Sequence, residues 1–296
     1  MHVVICPLVS RDLRKAIRCV NSVRRQLSTE TVFPVCVVIN SLDEIFVNEM
    51  EDWCRRENVE YTVTLSNGTP ARGKNKVLQV ARLLGCDGIS LLDGDDLYYP
   101  TACQQIERHL RHHPSTDVLI VKPSDQLHNL PASNSVQIGW NVYATLWGTH
   151  DVTMGYPYGP GQHALFSDRH AATNLGGHAY YSRRAIECMQ YDEDQLLGED
   201  LLLEFDLLKR HQQGDLEFWL SFASDVQLLD RTGQTNVQAI NNAEQGERCY
   251  QRLVSKVQAS LDVGRSSFNE LPVEFPPLLF SYAKKVAWLR TLCDTP

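Results

Sequence analysis

The chain has no long apolar run and no excess of positive charge. Nowhere do about 18 apolar residues stand together, the length that a membrane-spanning helix needs. Its 28 lysines and arginines are outnumbered by 36 aspartates and glutamates, which gives a formal net charge of −8. Wholesale binding to nucleic acid or to an anionic membrane requires a basic surface. The sequence therefore predicts no transmembrane segment and no nucleic-acid partner.

The nine cysteines form no C-x-x-C pair and are odd in number. They lie in apolar stretches, as reduced core thiols do, which predicts a cytoplasmic chain. No basic segment precedes the strand-like Val3–Cys6, so a secretory leader is not expected. With 296 residues, 43% of them hydrophobic, the chain can bury a large core, which excludes disorder over most of its length.

Short apolar runs alternate with amphipathic segments in the first third of the chain. This alternation predicts an α/β fold with a mixed, mainly parallel central sheet flanked by helices. Ligands of such sheets bind beyond the carboxyl ends of the strands. The sequence predicts strands at His2–Cys6, Val35–Ile39, Tyr61–Leu65 and Ile89–Leu92, and helices at Asp12–Leu27, Glu44–Glu57 and Lys74–Leu84.

The middle of the chain changes character. Residues 126–174 are rich in glycine, aromatic and polar residues, which predicts long loops and a binding surface. Helical patterns return at Ser182–Cys188 and Asp200–Arg210. We expect one domain over residues 1–240, with halves at 1–125 and 126–240, and a C-terminal helical extension over 241–296. The predicted helix within Pro276–Leu292 could pack on the sheet or on a second subunit, giving a homo-oligomer, or could contact a membrane surface peripherally.

An acidic turn follows the fourth predicted strand directly, at Asp93-Gly94-Asp95-Asp96. Its carboxylates repel one another, and either a cation or water must offset that repulsion. A divalent cation held by such a turn keeps open positions for substrate phosphates. The alternative is a solvated turn in which Asp95 or Asp96 caps the next helix. An EF-hand is disfavoured, because its glycine and bidentate glutamate are missing at the required offsets.

Two helix starts carry further candidates. Ala71–Lys76 opens a helix with cations and backbone N–H groups that could face a diphosphate, although basic helix starts are commonly surface features. Glu199 and Asp200 open a strongly apolar helix. They form either an N-terminal pair that stabilises the helix dipole or a general base in a cleft.

Taken in order, these motifs are similar to those of the inverting family 2 glycosyltransferases with the GT-A fold. The resemblance covers about residues 1–235. It implies a Rossmann-like GT-A domain, a nucleotide-sugar donor, most simply a UDP-hexose, and a glycan or other hydroxyl acceptor. The matching segments are Pro7-Leu8-Val9, Lys74-Asn75, Asp93-Gly94-Asp95-Asp96, Gly176-Gly177 with Ser182-Arg183-Arg184, and Gly198-Glu199-Asp200.

The resemblance implies a role for each motif. Residues 1–125 would bind the nucleotide sugar and residues 126–240 the acceptor. Asp200 would be the catalytic base with Glu199 beside it, and single displacement then needs no carboxylate nucleophile. On the donor side, Pro7 and Val9 would line the uridine pocket. Lys74 and Asn75 would match the basic residue and the asparagine of the family. Asp95 would contact the ribose or the metal, and Asp96 with Asp93 would bind Mn²⁺ or Mg²⁺.

The sequence departs from the family pattern at two places. The acidic stretch after the second strand is altered at Ile39–Glu44, which leaves Asn40 or Asp43 to contact the base. The late loop at Arg231–Thr235 lacks the histidine that many relatives place near the metal, so the third metal ligand is unassigned.

Two other functions fit parts of the pattern. A catalytically silent module with the same scaffold would bind glycans or nucleotides without turnover. A sugar nucleotidyltransferase would also join a metal to a nucleotide, but it usually needs a glycine-rich loop where Pro7–Asp12 has none. Among the remaining residues, His178 is a candidate substrate contact, and five aromatic residues could stack on sugars or pack a lobe: Trp140, Tyr143, Trp147, Tyr156 and Tyr158.

Overall fold

The structure is a computed structural model of the chain. It describes residues 1–121, 125–128, 137–140, 177–195, 199–221, 223, 225–231, 271–274 and 276–293. Within these ranges it has twelve strands and seven helices.

The strands are β1 (Val3–Val9), β2 (Cys36–Ile39), β3 (Glu60–Val63), β4 (Gly88–Asp93), β5 (Leu97–Tyr98), β6 (Val118–Val121), β7 (Asp125–His128), β8 (Gln137–Trp140), β9 (Gly177–Ser182), β10 (Phe218–Ser221), β11 (Gln227–Arg231) and β12 (Val273–Glu274). The helices are α1 (Leu13–Arg24), α2 (Glu44–Arg56), α3 (Pro70–Leu84), α4 (Ala102–His112), α5 (Arg183–Cys188), α6 (Glu199–Gln212) and α7 (Tyr282–Cys293).

The main sheet has eight strands in the order β12-β10-β6-β9-β4-β1-β2-β3. Strand β9 is antiparallel to both of its neighbours, β4 and β6, and every other pair in this sheet is parallel. A second, four-stranded sheet has the order β5-β11-β7-β8. The predicted mixed, mainly parallel sheet with flanking helices is confirmed.

Strand β1 shows why its apolar run is continuous. Val3 and Ile5 pack in one cluster with residues of α1 and α4, whereas Val4 and Cys6 pack in another with residues of α3 and α6. Successive side chains of a strand point to opposite faces, so a strand covered by helices on both sides needs an apolar residue at every position. This burial on both faces suits an interior strand of the sheet, and β1 lies between β4 and β2.

The helix starts and stops agree with the sequence signals. The Asp12 carboxylate accepts a hydrogen bond from the Lys15 N–H at the start of α1, and Asp43 caps α2 by accepting one from the Ile45 N–H. Gly85 ends α3 with a φ of 59°, in the left-handed region that glycine adopts at little cost. The predicted helices in the first third are confirmed with ends shifted by a few residues.

The described end of the chain packs on the same core. Strand β12 pairs with β10 at the edge of the main sheet, which the expectation of a purely helical extension did not include. Asp225 accepts hydrogen bonds from the backbone N–H groups of Leu279 and Phe280, both at 2.8 Å. Leu289 of α7 is buried against Tyr99. The expected domain boundary near residue 240 falls outside the described residues.

None of the helices in the described ranges combines the length and the apolar character that a bilayer crossing requires.

Candidate active site

Strands β1, β2 and β4 end together at one edge of the main sheet. Val9 pairs with Ile39, and Leu8 pairs with Asp93. The Gly94 N–H donates to the Leu8 carbonyl at 2.8 Å, and the Asn40 N–H donates to the Val9 carbonyl at the same distance. The polar residues that follow these strands are therefore neighbours, as the rule for parallel sheets predicted.

Gly94 lets the acidic turn approach the end of β1. A Cβ atom at this position would lie 2.5 Å from the Leu8 carbonyl oxygen and 2.8 Å from the Val9 Cα. Because both are backbone atoms of a buried strand, the turn itself would have to move. We expect Gly94→Ala to lower the free energy of unfolding by about 1–3 kcal/mol, the usual cost of overpacking. Urea denaturation measures this effect, and an unchanged free energy of unfolding would show that the close approach is dispensable.

The three aspartates of the turn differ in their surroundings. Asp93 and Asp95 are half-buried, whereas Asp96 is 4% exposed. The Asp96 carboxylate accepts hydrogen bonds from the Gln227 side chain at 2.9 Å and from the Asp230 N–H at 3.1 Å. Asp96 thus connects the turn to β11.

The alternative role of this turn as a helix cap is wrong. Strand β5 intervenes, and the next helix, α4, begins at Ala102 with Thr101 at its N-cap position. The acidic turn therefore does not serve as the start of a helix.

A buried lysine joins two helix starts at this site. Lys74 lies near the start of α3, and its side chain is 2% exposed. Its ammonium group donates to the Glu199 carboxylate at 2.9 Å and to the Asp200 carboxylate, both in the first turn of α6. The ring of Tyr191 lies 5.6 Å from the Lys74 nitrogen. The structure therefore brings together the basic start of α3 and the acidic start of α6.

Lys74, Glu199 and Asp200 form the Lys74 cluster, in which the pKa values of Lys74 and Glu199 depend on the neighbouring charges. Burial opposes a charge on Lys74, but the carboxylates of Asp200, Glu199 and Asp93 together raise the pKa of Lys74 well above its ordinary value. Burial raises the pKa of Glu199 to about 7, although Lys74 acts to lower it. Asp93, in the acidic turn, therefore acts on the charge of Lys74 in the same direction as Asp200 and Glu199.

Glu199 makes stability depend on pH. Its pKa of about 7 in the folded chain lies above the ordinary 4.5, so the folded state keeps a proton that the unfolded chain releases. The contribution of Glu199 to the free energy of unfolding is therefore complete below the unfolded pKa and is lost as the pH rises through the folded pKa.

We expect the free energy of unfolding of Glu199→Gln to fall less between about pH 5 and pH 8 than that of the wild type. Urea denaturation across this range measures it, with the exposed Glu187→Gln as control. Identical pH slopes in all three proteins would remove Glu199 as the cause.

The segment Tyr191–Glu193 is fastened to the start of α3. The Asn75 amide donates to the Tyr191 carbonyl at 3.0 Å and to the Glu193 carboxylate at 2.9 Å, and its oxygen accepts from the Tyr191 N–H. Arg72 forms an ion pair with Glu193 at 3.1 Å. Sequence reasoning missed Tyr191 and Glu193, because no local pattern marks them. Asn75 holds this segment in place, and its expected contact with the donor stays a prediction.

Asn40 lies at the carboxyl edge, directly after β2. It is buried, and its amide nitrogen donates to the Thr69 carbonyl at 2.9 Å, while its Oδ1 has no hydrogen-bond partner among the residues that the structure describes. A Cβ atom at Gly73 would lie 2.8 Å from the Asn40 nitrogen, so glycine is needed there. Asp43, the other candidate for contacting the base, is exposed and caps α2.

Pro7 and Val9 lie within β1. The Val9 side chain is fully buried and packs with Ala16 and Val37, so it faces the protein interior. Their expected place at the uridine pocket stays a prediction. Several other predicted residues lie outside the described ranges or have no described side chain: Gly176, Gly198, His178, Trp140, Tyr143, Trp147, Tyr156, Tyr158 and the loop 232–235.

Comparison with known proteins gives similarity in structure alone. No protein-family model and no curated protein sequence matches the chain. A crystal structure of S. aureus TarS is 16% identical, with a TM-score of 0.53 over 80% of this chain and 38% of that chain. TarS 1–349 in complex with UDP is 15% identical, with a TM-score of 0.54 over 88% of this chain and 66% of that one. TarS 1–349 in complex with UDP-GlcNAc is 15% identical, with a TM-score of 0.56 over 88% of this chain and 67% of that one.

These similarities confirm the predicted Rossmann-like α/β fold of the GT-A type. The chain spans only 38% of the first TarS chain and about two thirds of the other two. At 14–16% identity, the shared property is the fold.

Proposed function

We propose that the chain is a metal-dependent inverting glycosyltransferase that moves a sugar from a nucleotide sugar, a UDP-hexose, to an acceptor hydroxyl. One observation carries the proposal: the buried Lys74 pairs with Glu199 and Asp200 at the start of α6, and Asp93 of the acidic turn also acts to raise the pKa of Lys74. TarS, a glycosyltransferase of similar fold with solved UDP and UDP-GlcNAc complexes, supports the donor class.

The acidic turn fits a divalent cation by its chemistry. Asp93, Asp95 and Asp96 offer carboxylate oxygens, the ligands that Mn²⁺ and Mg²⁺ prefer. Asp96 accepts hydrogen bonds from the Gln227 side chain and the Asp230 N–H, and an ionised carboxylate has about four acceptor positions on its two oxygens. A cation held there would act as a Lewis acid and stabilise the charge on the leaving diphosphate.

Asp200 is better placed than Glu199 to be the catalytic base. Its side chain is 34% exposed, whereas that of Glu199 is 7% exposed. An acceptor hydroxyl can therefore reach Asp200 and transfer its proton to that carboxylate. Lys74 orients the Asp200 carboxylate through their ion pair, and Glu199 holds Lys74 from the buried side.

Asn40 is the proposed contact to the nucleobase. Its Oδ1, which has no partner within the described part of the chain, can accept a hydrogen bond from a ring N–H, which uracil has. Burying a polar atom without a partner costs about 1–3 kcal/mol, so a ligand that supplies the donor gains part of that energy. Asn40 also follows β2 at the carboxyl edge, where this fold class binds its ligands.

A nucleotide-release assay tests the proposed function. The chain is incubated with a panel of nucleotide sugars, with and without acceptor glycans, and free nucleotide is measured. We expect release from a UDP-sugar, loss of that release on treatment with EDTA, and recovery with added Mn²⁺ or Mg²⁺. If EDTA leaves nucleotide release unchanged, the reaction does not depend on a metal ion. Binding of UDP without release from any donor would instead favour the silent binding module.

A further inference from the structure

A second cluster of metal-ligating side chains lies outside the candidate active site. His109 of α4 and His113 at its C-terminal end are one helical turn apart, and Glu274 of β12 faces them. One ligand atom from each of the three residues lies within 4.8 Å of the other two. The nucleotide-sugar chemistry proposed above uses none of these residues.

His109 is held from both sides. Its side chain is 2% exposed, and its Nδ1 lies 2.6 Å from the Glu274 carboxylate. Its Nε2 lies 3.0 Å from the Thr116 hydroxyl. A histidine that binds a metal through one nitrogen almost always donates from the other to an oxygen, which fixes the ring and raises its basicity. Thr116 is placed to accept that hydrogen bond.

His113 is fixed by stacking. Its ring lies on the Trp219 ring with centroids 3.9 Å apart and an interplanar angle of 31°. The Trp219 indole N–H donates to Glu217 at 2.6 Å, which in turn fixes the indole. Both imidazoles therefore have restricted orientations, so little side-chain entropy would be lost on binding an ion.

We propose that His109, His113 and Glu274 form a site for a zinc-like divalent transition-metal ion. Two imidazoles and one carboxylate are a ligand set that Zn²⁺ takes, with water in the fourth position, and the three ligand atoms are close enough together for a single ion. To bind the ion through Nδ1, the neutral His109 ring takes the tautomer that carries its single proton on Nε2, so the proton moves from Nδ1 to Nε2 by exchange with solvent and none is lost overall. The Nδ1 lone pair then binds the ion, and the Nε2–H donates to the Thr116 hydroxyl.

The site joins the end of the chain to the main domain. Strand β12 has only two residues and lies at the sheet edge, so few backbone hydrogen bonds hold it. Glu274 belongs to this strand, whereas His109 belongs to α4 and His113 directly follows that helix. An ion shared between them would stabilise the folded state against release of β12, since a metal site stabilises the state in which it is assembled.

The test uses zinc chloride as the probe and the full chain after removal of metals by a chelator. Bound zinc is measured by isothermal titration calorimetry and by elemental analysis. We expect one equivalent in the wild type, and an affinity at least about tenfold weaker in His113→Ala and in Glu274→Gln. His112→Ala is the matched control, because the neighbouring His112 is exposed and its Nδ1 pairs with the Arg108 carbonyl. It should keep the wild-type affinity.

Two further measurements show whether zinc binds at the histidines rather than at the acidic turn, and whether this result holds without any variant. Asp95→Asn should keep the zinc equivalent, which distinguishes this site from the acidic turn. Zinc X-ray absorption of the unmutated chain should show two imidazole ligands, and it does not depend on the folding of any variant. The proposal is overturned if the wild type binds no zinc, if His113→Ala and Glu274→Gln bind it as tightly as His112→Ala, or if the absorption spectrum shows no imidazole.

Discussion

Asp200→Asn should lower the rate of sugar transfer by about 10²–10⁴-fold, the usual contribution of a general base. The amide keeps the shape of the side chain but cannot accept a proton from the acceptor hydroxyl. Donor binding should remain close to that of the wild type, because Asp200 belongs to α6 and the acidic turn that would hold the diphosphate follows β4. The measurement pairs single-turnover transfer with calorimetry of UDP binding.

Asp206→Asn is the control for this variant. Asp206 is exposed on the same helix, so the substitution removes the same charge without touching the Lys74 cluster. We expect wild-type transfer from it. Transfer retained in Asp200→Asn, or an equal loss in both variants, would remove Asp200 from the role of base.

Lys74→Met should produce the largest loss of stability among these variants, about 3–5 kcal/mol near pH 8. Methionine has a similar length but no charge, so the buried Glu199 and the half-buried Asp200 lose their shared cation. Removing one partner of a buried ion pair is far more costly than removing an exposed one. Transfer should also be lost, because Asp200 loses the group that orients it. Urea denaturation gives the stability and the nucleotide-release assay gives the activity.

Lys76→Met is the matched control, two residues further along α3. Lys76 is only half-buried, and its ammonium pairs with the neutral Gln79 side chain at 3.0 Å, so its loss should change stability by less than about 1 kcal/mol. The Lys74→Met deficit should shrink toward pH 5, because Glu199 can then be neutral. Adding Glu199→Gln should recover part of it. A deficit as small as that of Lys76→Met would show that the ion pair contributes little.

The sequence predicted the fold because its signals are local. The apolar run of β1, the cap at Asp12 and the stop at Gly85 each depend on neighbours within a few residues. The antiparallel insertion of β9 between β4 and β6, and the addition of β12 to the sheet, depend on pairing between distant segments. A two-residue strand such as β12 has no periodicity to detect.

The residues of the candidate site were also predicted, but their pairing was not. Lys74 and Glu199 were each named, yet the sequence indicated a diphosphate contact for Lys74, and either a helix-dipole role or a place beside the catalytic base for Glu199. They lie 125 positions apart, and only the packing of α3 and α6 on the same face of the sheet brings them together. The available signal was the opposite charge of the two helix starts, with cations in Ala71–Lys76 and carboxylates at Glu199 and Asp200. Asp96 likewise gains its partners from β11, which the pattern could not place.

A crystal of the chain soaked with Mn²⁺ and UDP tests the central claim most directly, with anomalous scattering locating the metal. The account predicts a manganese peak on the carboxylates of Asp93, Asp95 and Asp96, the diphosphate bound to that ion, and the uracil beside Asn40. A soaked crystal with no manganese at this turn, its aspartates directed to bulk solvent and the nucleotide elsewhere or missing, would contradict it.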